Sequence, residues 1–154
     1  MLEIERERVF GRTYRIRSEG APVGRWNAQT WKSGGRVELA GEIFELRSSR
    51  WGRSFEMLEG GPGGPVRAQA HRSGRRWHIT DAEDEYELIR PSALRGKRRL
   101  VKGVSILGEL RLGRFGSGLT ADLADVPLSL QVFAGLVVIS VQQRQARAAA
   151  ASSG

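Results

Sequence analysis

An uncharged apolar run near the carboxyl end of the chain constrains the fold more than any other feature. Between Val132 and Val141 there is no charged residue, and a helix built from this run would be apolar or small on every face. Such a helix is unfavourable at a surface in contact with water, because each of its faces needs apolar cover. It must therefore cross a membrane, join an oligomer, or be enclosed by the rest of the chain.

Length argues against the membrane alternative. The apolar run covers ten residues, whereas a membrane-spanning helix needs about 20 mostly apolar residues. With Asp125 as N-cap and Pro127 in the first turn, the sequence predicts a helix over about 127–144 and a disordered tail over 146–154. We therefore expect no transmembrane span, while a membrane anchor and an oligomer-forming helix stay open as alternatives.

The chain before this helix has the pattern of an all-β protein. From Tyr14 to Leu123, short runs alternate apolar with polar residues, and turn signals such as Ser73-Gly74 separate them. The pattern predicts eleven strands, at 14–17, 23–28, 36–40, 43–47, 54–59, 66–71, 77–80, 86–90, 100–102, 106–112 and 118–123.

A closed antiparallel barrel accommodates both features. A barrel has no free sheet edge, and its interior covers an apolar helix on every side. Because a barrel of about eight strands is filled by its own side chains, room for a helix requires more strands than that. We therefore predict one all-β domain over residues 1–145, a closed antiparallel barrel around a hydrophobic C-terminal helix.

Several classes of chemistry are excluded or unsupported. The absence of cysteine excludes disulfides, thiolate metal sites and cysteine nucleophiles. The sequence has no Gly-x-Ser-x-Gly, Walker or dinucleotide-binding motif, and the acidic segment 81–85 lacks the spacing of an EF-hand loop. We therefore predict a protein that is not an enzyme and that uses no metal and no cofactor. The chain opens without a signal-peptide pattern, so we expect a cytoplasmic location.

The charge of the chain suggests an anionic partner. The net charge is +8, although a bias towards arginine of this kind also arises from a GC-rich genome. The densest basic segment has no acidic residue between Glu87 and Glu109, and we predict it to be a turn that binds lipid headgroups. The predicted headgroup-binding residues are Arg95, Lys97, Arg98, Arg99 and Lys102. A solvated loop without function and a protein contact stay open for this segment.

A tryptophan between two arginines is a second candidate. Trp51 lies between Arg50 and Arg53 near a predicted hairpin tip, and Trp31 precedes Lys32 in a similar setting. Exposed, these rings are suited to a membrane interface or to stacking on a base. Buried, they belong to the core or rim of the barrel, which is commoner for so large an apolar side chain.

Two motifs resemble a known superfamily. Hairpins that open with Tyr14-Arg15-Ile16 and Phe55-Glu56-Met57, and the linker and helix over residues 120–141, resemble the tubby C-terminal-like superfamily, which includes the LURP-one-related proteins and phospholipid scramblases. The similarity extends from Arg12 to Arg144. It implies a closed barrel of about twelve antiparallel strands around a hydrophobic C-terminal helix. The chain departs from scramblases in having no cysteine cluster and no calcium loop.

The resemblance also implies a function. Tubby domains bind phosphoinositides through basic side chains on the outside of the barrel. We therefore expect a non-catalytic cytoplasmic module, peripheral at the inner face of the membrane, that binds anionic, phosphoinositide-like headgroups. A protein-interaction or scaffolding domain without a lipid ligand is the alternative. Nucleic acid is less favoured, because basic and aromatic residues are not interleaved along one sheet face.

Overall fold

The computed structural model describes residues 1–8, 11–28, 34–91, 96–113 and 117–153. Among these residues, twelve strands precede one helix. They are β1 Leu2–Arg6, β2 Thr13–Ser18, β3 Ala21–Ala28, β4 Gly34–Leu39, β5 Glu42–Ser48, β6 Ser54–Glu59, β7 Val66–Ser73, β8 Arg76–Asp81, β9 Asp84–Ile89, β10 Lys97–Lys102, β11 Ser105–Leu112, β12 Gly118–Leu123 and α1 Leu128–Ser153.

The strands form a closed antiparallel barrel in which each strand pairs with its neighbours in the chain. The first and last strands close the ring, with Leu2 opposite Ala121 and Ile4 opposite Leu119. This arrangement puts successive connections at alternate ends of the barrel. We call the end where odd-numbered strands finish the exit end, and the opposite end, where β12 finishes and α1 begins, the entry end.

The apolar residues of the strands and of the helix form one core inside the barrel. Side chains alternate across each strand, so that Tyr14 and Ile16 of β2 are buried while Arg15 and Arg17 are exposed. Every residue of α1 from Val132 to Ser140 is buried. The predictions of an all-β barrel and of an enclosed helix are therefore confirmed.

Two hydrogen bonds hold the helix where it leaves the barrel. The Gln143 side-chain amide donates to the Tyr14 hydroxyl at 2.6 Å, and the Arg144 guanidinium donates to the Ser48 hydroxyl at 3.1 Å. Both acceptors lie at the exit end, at the start of β2 and the end of β5. The helix therefore passes through the barrel from the entry end to the exit end.

The sequence pattern did not predict β1. Leu2 and Ile4 alternate with Glu3 and Glu5, but the segment offers only two apolar positions and is followed by further charged residues. It forms a strand because Leu2 and Ile4 are completely buried in the core and both of its edges are paired. Pairing and burial, rather than local propensity, determine this strand.

The helix differs from its predicted limits at both ends. It begins at Leu128, with the Pro127 carbonyl accepting from Leu130 and Gln131, and Asp125 has a φ of 58°, which is incompatible with an N-cap. Residues 146–153, where the sequence pattern predicted a disordered tail, continue the helix. Alanine has the highest helix propensity, and extending an existing helix carries no nucleation cost.

Candidate anion-binding site at the exit end

The predicted basic turn is a strand. Lys97 to Lys102 form β10, which pairs with β9 and β11, whereas the sequence pattern began this strand only at Leu100. Three basic residues in succession resemble a solvated loop, but pairing on both sides overrides the low strand propensity of lysine. Arg95, the first of the predicted headgroup-binding residues, lies outside the described residues.

The four described residues of this cluster do not all lie together, although Lys97 and Arg99 both lie near Glu109. Arg98 has the same orientation as the buried Leu100 and lines the interior at the exit end, whereas Arg99 lies on the outer face. Lys102 lies at the entry end, where its ammonium donates to Asp84 at 2.8 Å and lies 5.4 Å from the centroid of the Tyr86 ring. The basic residues of β10 are therefore divided between the inner and outer faces of the barrel, and between its exit and entry ends.

A carboxylate on the neighbouring strand pairs with two arginines of the outer face. The Arg99 guanidinium lies 3.5 Å from Glu109, and Arg111 lies 3.4 Å from the second oxygen of the same carboxylate. Partial desolvation raises the pKa of Glu109, but the charge of Lys97 and the hydrogen bonds from Arg99 and Arg111 outweigh it, so that the pKa is lowered overall. Two guanidinium groups thus share this one carboxylate, so Arg99 and Arg111 are both engaged by Glu109 while the outer face keeps a net positive charge.

Arginines from several connections lie instead at the exit end. Outside the strands, the described residues at this end include six arginines and a single acidic residue, Glu7. The arginines are Arg8, Arg12, Arg50, Arg53, Arg75 and Arg90. At the entry end, the corresponding connections, all of them described, carry Glu19, Glu83 and Asp125 and no basic residue, and the N-terminal ammonium pairs with Glu19 there. The barrel is therefore polarised along its axis.

Trp51 lies at the same end as these arginines and is 76% exposed. The Arg50 guanidinium lies 5.4 Å from the centroid of its ring. Ser49 stabilises the connection between β5 and β6, because its hydroxyl accepts hydrogen bonds from the Arg53 and Ser54 amides, both at 3.1 Å. The exposed alternative is therefore correct for Trp51, while Trp31 lies outside the described residues.

A cavity of about 830 Å³ opens between the exit half of α1 and strands β7 to β10. Its polar lining is almost wholly arginine: Arg72, Arg75 and Arg76 from the β7–β8 hairpin, Arg90 after β9, and Arg98 of β10. None of the described residues that line it is acidic, although Arg76 pairs with Glu87 at 3.1 Å beside it. Like charges thus converge from three separate segments.

Arg98 is the most buried of these arginines, since the other four are exposed. Its guanidinium donates to the Lys97 carbonyl at 2.8 Å. Burial lowers the pKa of Arg98, and the positive charge of Arg90 lowers it further. The pKa shift indicates that the cationic form is less stable here than in water, which is the electrostatic condition that an added anion relieves.

The sequence pattern did not indicate Arg72, Arg75 and Arg76 as site residues. The available signal was the predicted turn at Ser73-Gly74, which has basic residues on both sides. In a barrel of consecutive hairpins, every second connection lies at the same end, so this turn and Arg90 become neighbours. A linear search for the densest basic segment cannot detect such a cluster.

No protein-family model, no curated protein and no solved structure matches this chain significantly. Within the described part of the chain, no helix is both long enough and apolar enough to cross a membrane. The resemblance to the tubby C-terminal-like superfamily therefore stays a prediction beyond the architecture itself.

Proposed function

We propose that this chain is a non-catalytic module that binds anionic phospholipid headgroups at a membrane surface, with its exit end facing the bilayer. The observation that carries the proposal is the difference in charge between the connections at the two ends of the barrel, with six arginines in those at the exit end and three acids and no basic residue in those at the entry end. Each basic residue near an anionic surface contributes about 1 kcal/mol. The acidic entry end would be repelled by the same surface, which favours one orientation.

Trp51 supports the same orientation. An exposed indole beside two arginines is the arrangement found at membrane interfaces, where the ring lies at the level of the headgroups. The resemblance to the tubby C-terminal-like superfamily adds support, because its tubby members bind phosphoinositides. Anionic lipids are concentrated in the cytoplasmic leaflet, so the proposed site of action is the inner face of the membrane.

Flotation with liposomes tests the proposal. The protein is mixed with neutral or anionic vesicles at low salt and at about 1 M salt, where the Debye length falls to about 3 Å. We expect binding to anionic vesicles only, and its loss at high salt. Absence of binding to anionic vesicles at low salt would refute the proposal.

A matched pair of variants tests whether membrane binding depends on the position of the arginines or only on the net charge of the chain. Reversing Arg50, Arg53 and Arg75 to glutamate changes the exit end, and reversing Arg15, Arg17 and Arg36 changes exposed positions on the barrel wall. Each variant lowers the net charge by six, from +8 to +2. We expect loss of binding in the first variant and only partial weakening in the second. Equal effects would mean that net charge alone determines binding.

A protein partner at the entry end is the second candidate function. Val104 is fully exposed and Ile106 is 63% exposed, side by side around the β10–β11 turn. Such residues at a hairpin tip are typical of protein contacts when the surrounding surface is polar. If a partner binds there, replacing Val104 and Ile106 with serine abolishes a pull-down that resists high salt, and leaves liposome flotation unchanged.

A further inference from the structure

The cavity at the exit end has the size and chemistry of a ligand site. Its volume of about 830 Å³ falls within the range of about 300–1,000 Å³ that is typical of small-molecule sites. The space lies between the side chains of α1 and the wall formed by β7 to β10. Its two ends differ in chemistry.

The floor of the cavity is apolar. Val141 lies one helical turn after Val137 and Val138, and these three residues contribute the helix side of the lining. Trp77 of β8 and Leu88 of β9 contribute the opposite wall. A hydrocarbon chain placed on this surface would release water from apolar groups on both sides, which is favourable.

The mouth of the cavity is cationic. Among the described residues, Arg72, Arg90 and Arg98 form no ion pair with a carboxylate, and they come from three different segments that converge on the opening. Guanidinium groups bind phosphate oxygens in bidentate fashion. Burial lowers the pKa of Arg98, and the positive charge of Arg90 lowers it further, so an anion beside Arg98 would stabilise its cationic form.

We infer that this cavity binds one molecule of an anionic phospholipid, with the phosphate among the arginines and the start of an acyl chain on the valine floor. The inference rests on the proposed function for the class of ligand, and it goes further in assigning a stoichiometric site inside the barrel mouth. An inorganic phosphate would leave the apolar floor in contact with water. The positively charged group of a zwitterionic lipid would be repelled by the arginines of the mouth. Neither matches both parts of the cavity.

Binding of soluble short-chain lipids tests the inference without a membrane. Dihexanoyl phosphatidic acid, kept below its micelle concentration, is titrated into the full chain by calorimetry. Dihexanoyl phosphatidylcholine and inorganic phosphate are titrated in parallel. We expect saturable one-to-one binding of the phosphatidic acid, and binding at least about tenfold weaker for both other ligands. Equal binding of inorganic phosphate, or of the phosphatidylcholine, would overturn the inference.

Two variants locate the site. Arg98→Met removes the buried cation, and Val141→Trp fills the cavity from the half-exposed edge of its floor. We expect each to weaken phosphatidic acid binding by at least about tenfold, with a cooperative thermal transition confirming that the variant is folded. If Val141→Trp is unfolded, Arg98→Met alone decides. Undiminished binding in a folded variant would overturn the inference.

The failure of this inference and that of the proposed function are distinguishable. Reversal of Arg50 and Arg53, which do not line the cavity, removes part of the membrane-facing charge and leaves the cavity intact. We expect this variant to lose vesicle flotation and to retain phosphatidic acid binding. If the wild-type chain floats with vesicles but does not bind the soluble phosphatidic acid, only the internal site is refuted. If it binds the soluble phosphatidic acid but does not float with vesicles, only the membrane module is refuted.

Discussion

Ser140 is a single residue whose chemistry conflicts with its surroundings. It is fully buried in the middle of α1, and its hydroxyl has no hydrogen-bond partner within the part of the chain that the structure describes. A buried hydroxyl without a partner loses its hydration and gains nothing in return. The residue therefore lowers the stability of an otherwise apolar core.

Replacing Ser140 with alanine is expected to raise the free energy of unfolding by about 1 kcal/mol, because it removes the unpaired hydroxyl and improves helix propensity. Urea denaturation of the two proteins measures the difference. Ser152→Ala, at an exposed position of the same helix, serves as the control and should change stability by less than about 0.5 kcal/mol. A less stable Ser140→Ala variant would mean that the hydroxyl has a partner.

The carboxylate of Glu109 gives a pH-dependent prediction. Its pKa is lowered in the folded chain by Lys97, Arg99 and Arg111 against an opposing effect of desolvation. A group with a depressed folded pKa contributes stability above its ordinary pKa of about 4.3, and that stability is lost as the pH falls through the lowered value. Glu109→Gln should therefore lower the melting temperature at pH 7, and the difference from the wild type should shrink in acid.

Glu85→Gln is the control for this comparison. It removes the same charge from an exposed carboxylate that forms no ion pair among the described residues. Thermal melts followed by circular dichroism at pH 7 and at successive lower values give both differences. A Glu109→Gln difference that stays constant or grows in acid would contradict the assigned contacts.

At the level of elements, periodicity in the sequence identifies most of the barrel. Strands such as β6 and β12 match their predicted limits, because a sheet with one buried face requires strict alternation of side chains. The strand β1 was not predictable in this way, since its role is to close the ring between β12 and β2. A closing strand is determined by the geometry of the whole barrel more than by its own composition.

The packing of α1 against β1 tests the position of the helix inside the barrel. At Gly135, an added Cβ would lie 2.8 Å from the Cδ1 methyl of Ile4 and 3.2 Å from Leu119. Gly135→Ala should destabilise the fold by about 1–3 kcal/mol through overpacking, partly offset by helix propensity. Ile4→Val removes the Cδ1 methyl and should cost about 0.5–1.5 kcal/mol alone.

The double variant is the informative measurement. Because Ile4→Val opens the space that the alanine methyl needs, the combined variant should be more stable than the sum of the single effects by at least about 0.5 kcal/mol. Denaturant titrations of the wild type, the two single variants and the double variant complete the double-mutant cycle. Additive effects would mean that the two residues do not touch, and that the helix lies in another register.

At the level of the whole molecule, the fold was predictable from the sequence and the site was only partly so. The apolar helix and the alternating strands each indicate the barrel, and they agree. The basic site depends on which connections share an end of the barrel, and this brings Arg72 near Arg98 across 26 positions of sequence while separating Lys102 from Arg98 within one strand. Charge density along the chain does not contain that information.

The orientation of the molecule on a membrane is the last prediction. The chain has no cysteine, so Trp51→Cys at the exit end and Val104→Cys at the entry end each accept one environment-sensitive fluorophore. Both positions are largely exposed, at 76% and 103%, so neither change should disturb the core.

With anionic vesicles in excess, we expect a blue shift and a gain in intensity at position 51 and no change at position 104. The reason is that the arginine-rich end is attracted to the surface and the acidic end is repelled by it. Vesicles of neutral lipid should change neither label. A shift at position 104 alone would reverse the orientation, and equal shifts at both positions would show that the axial separation of charge does not orient the barrel.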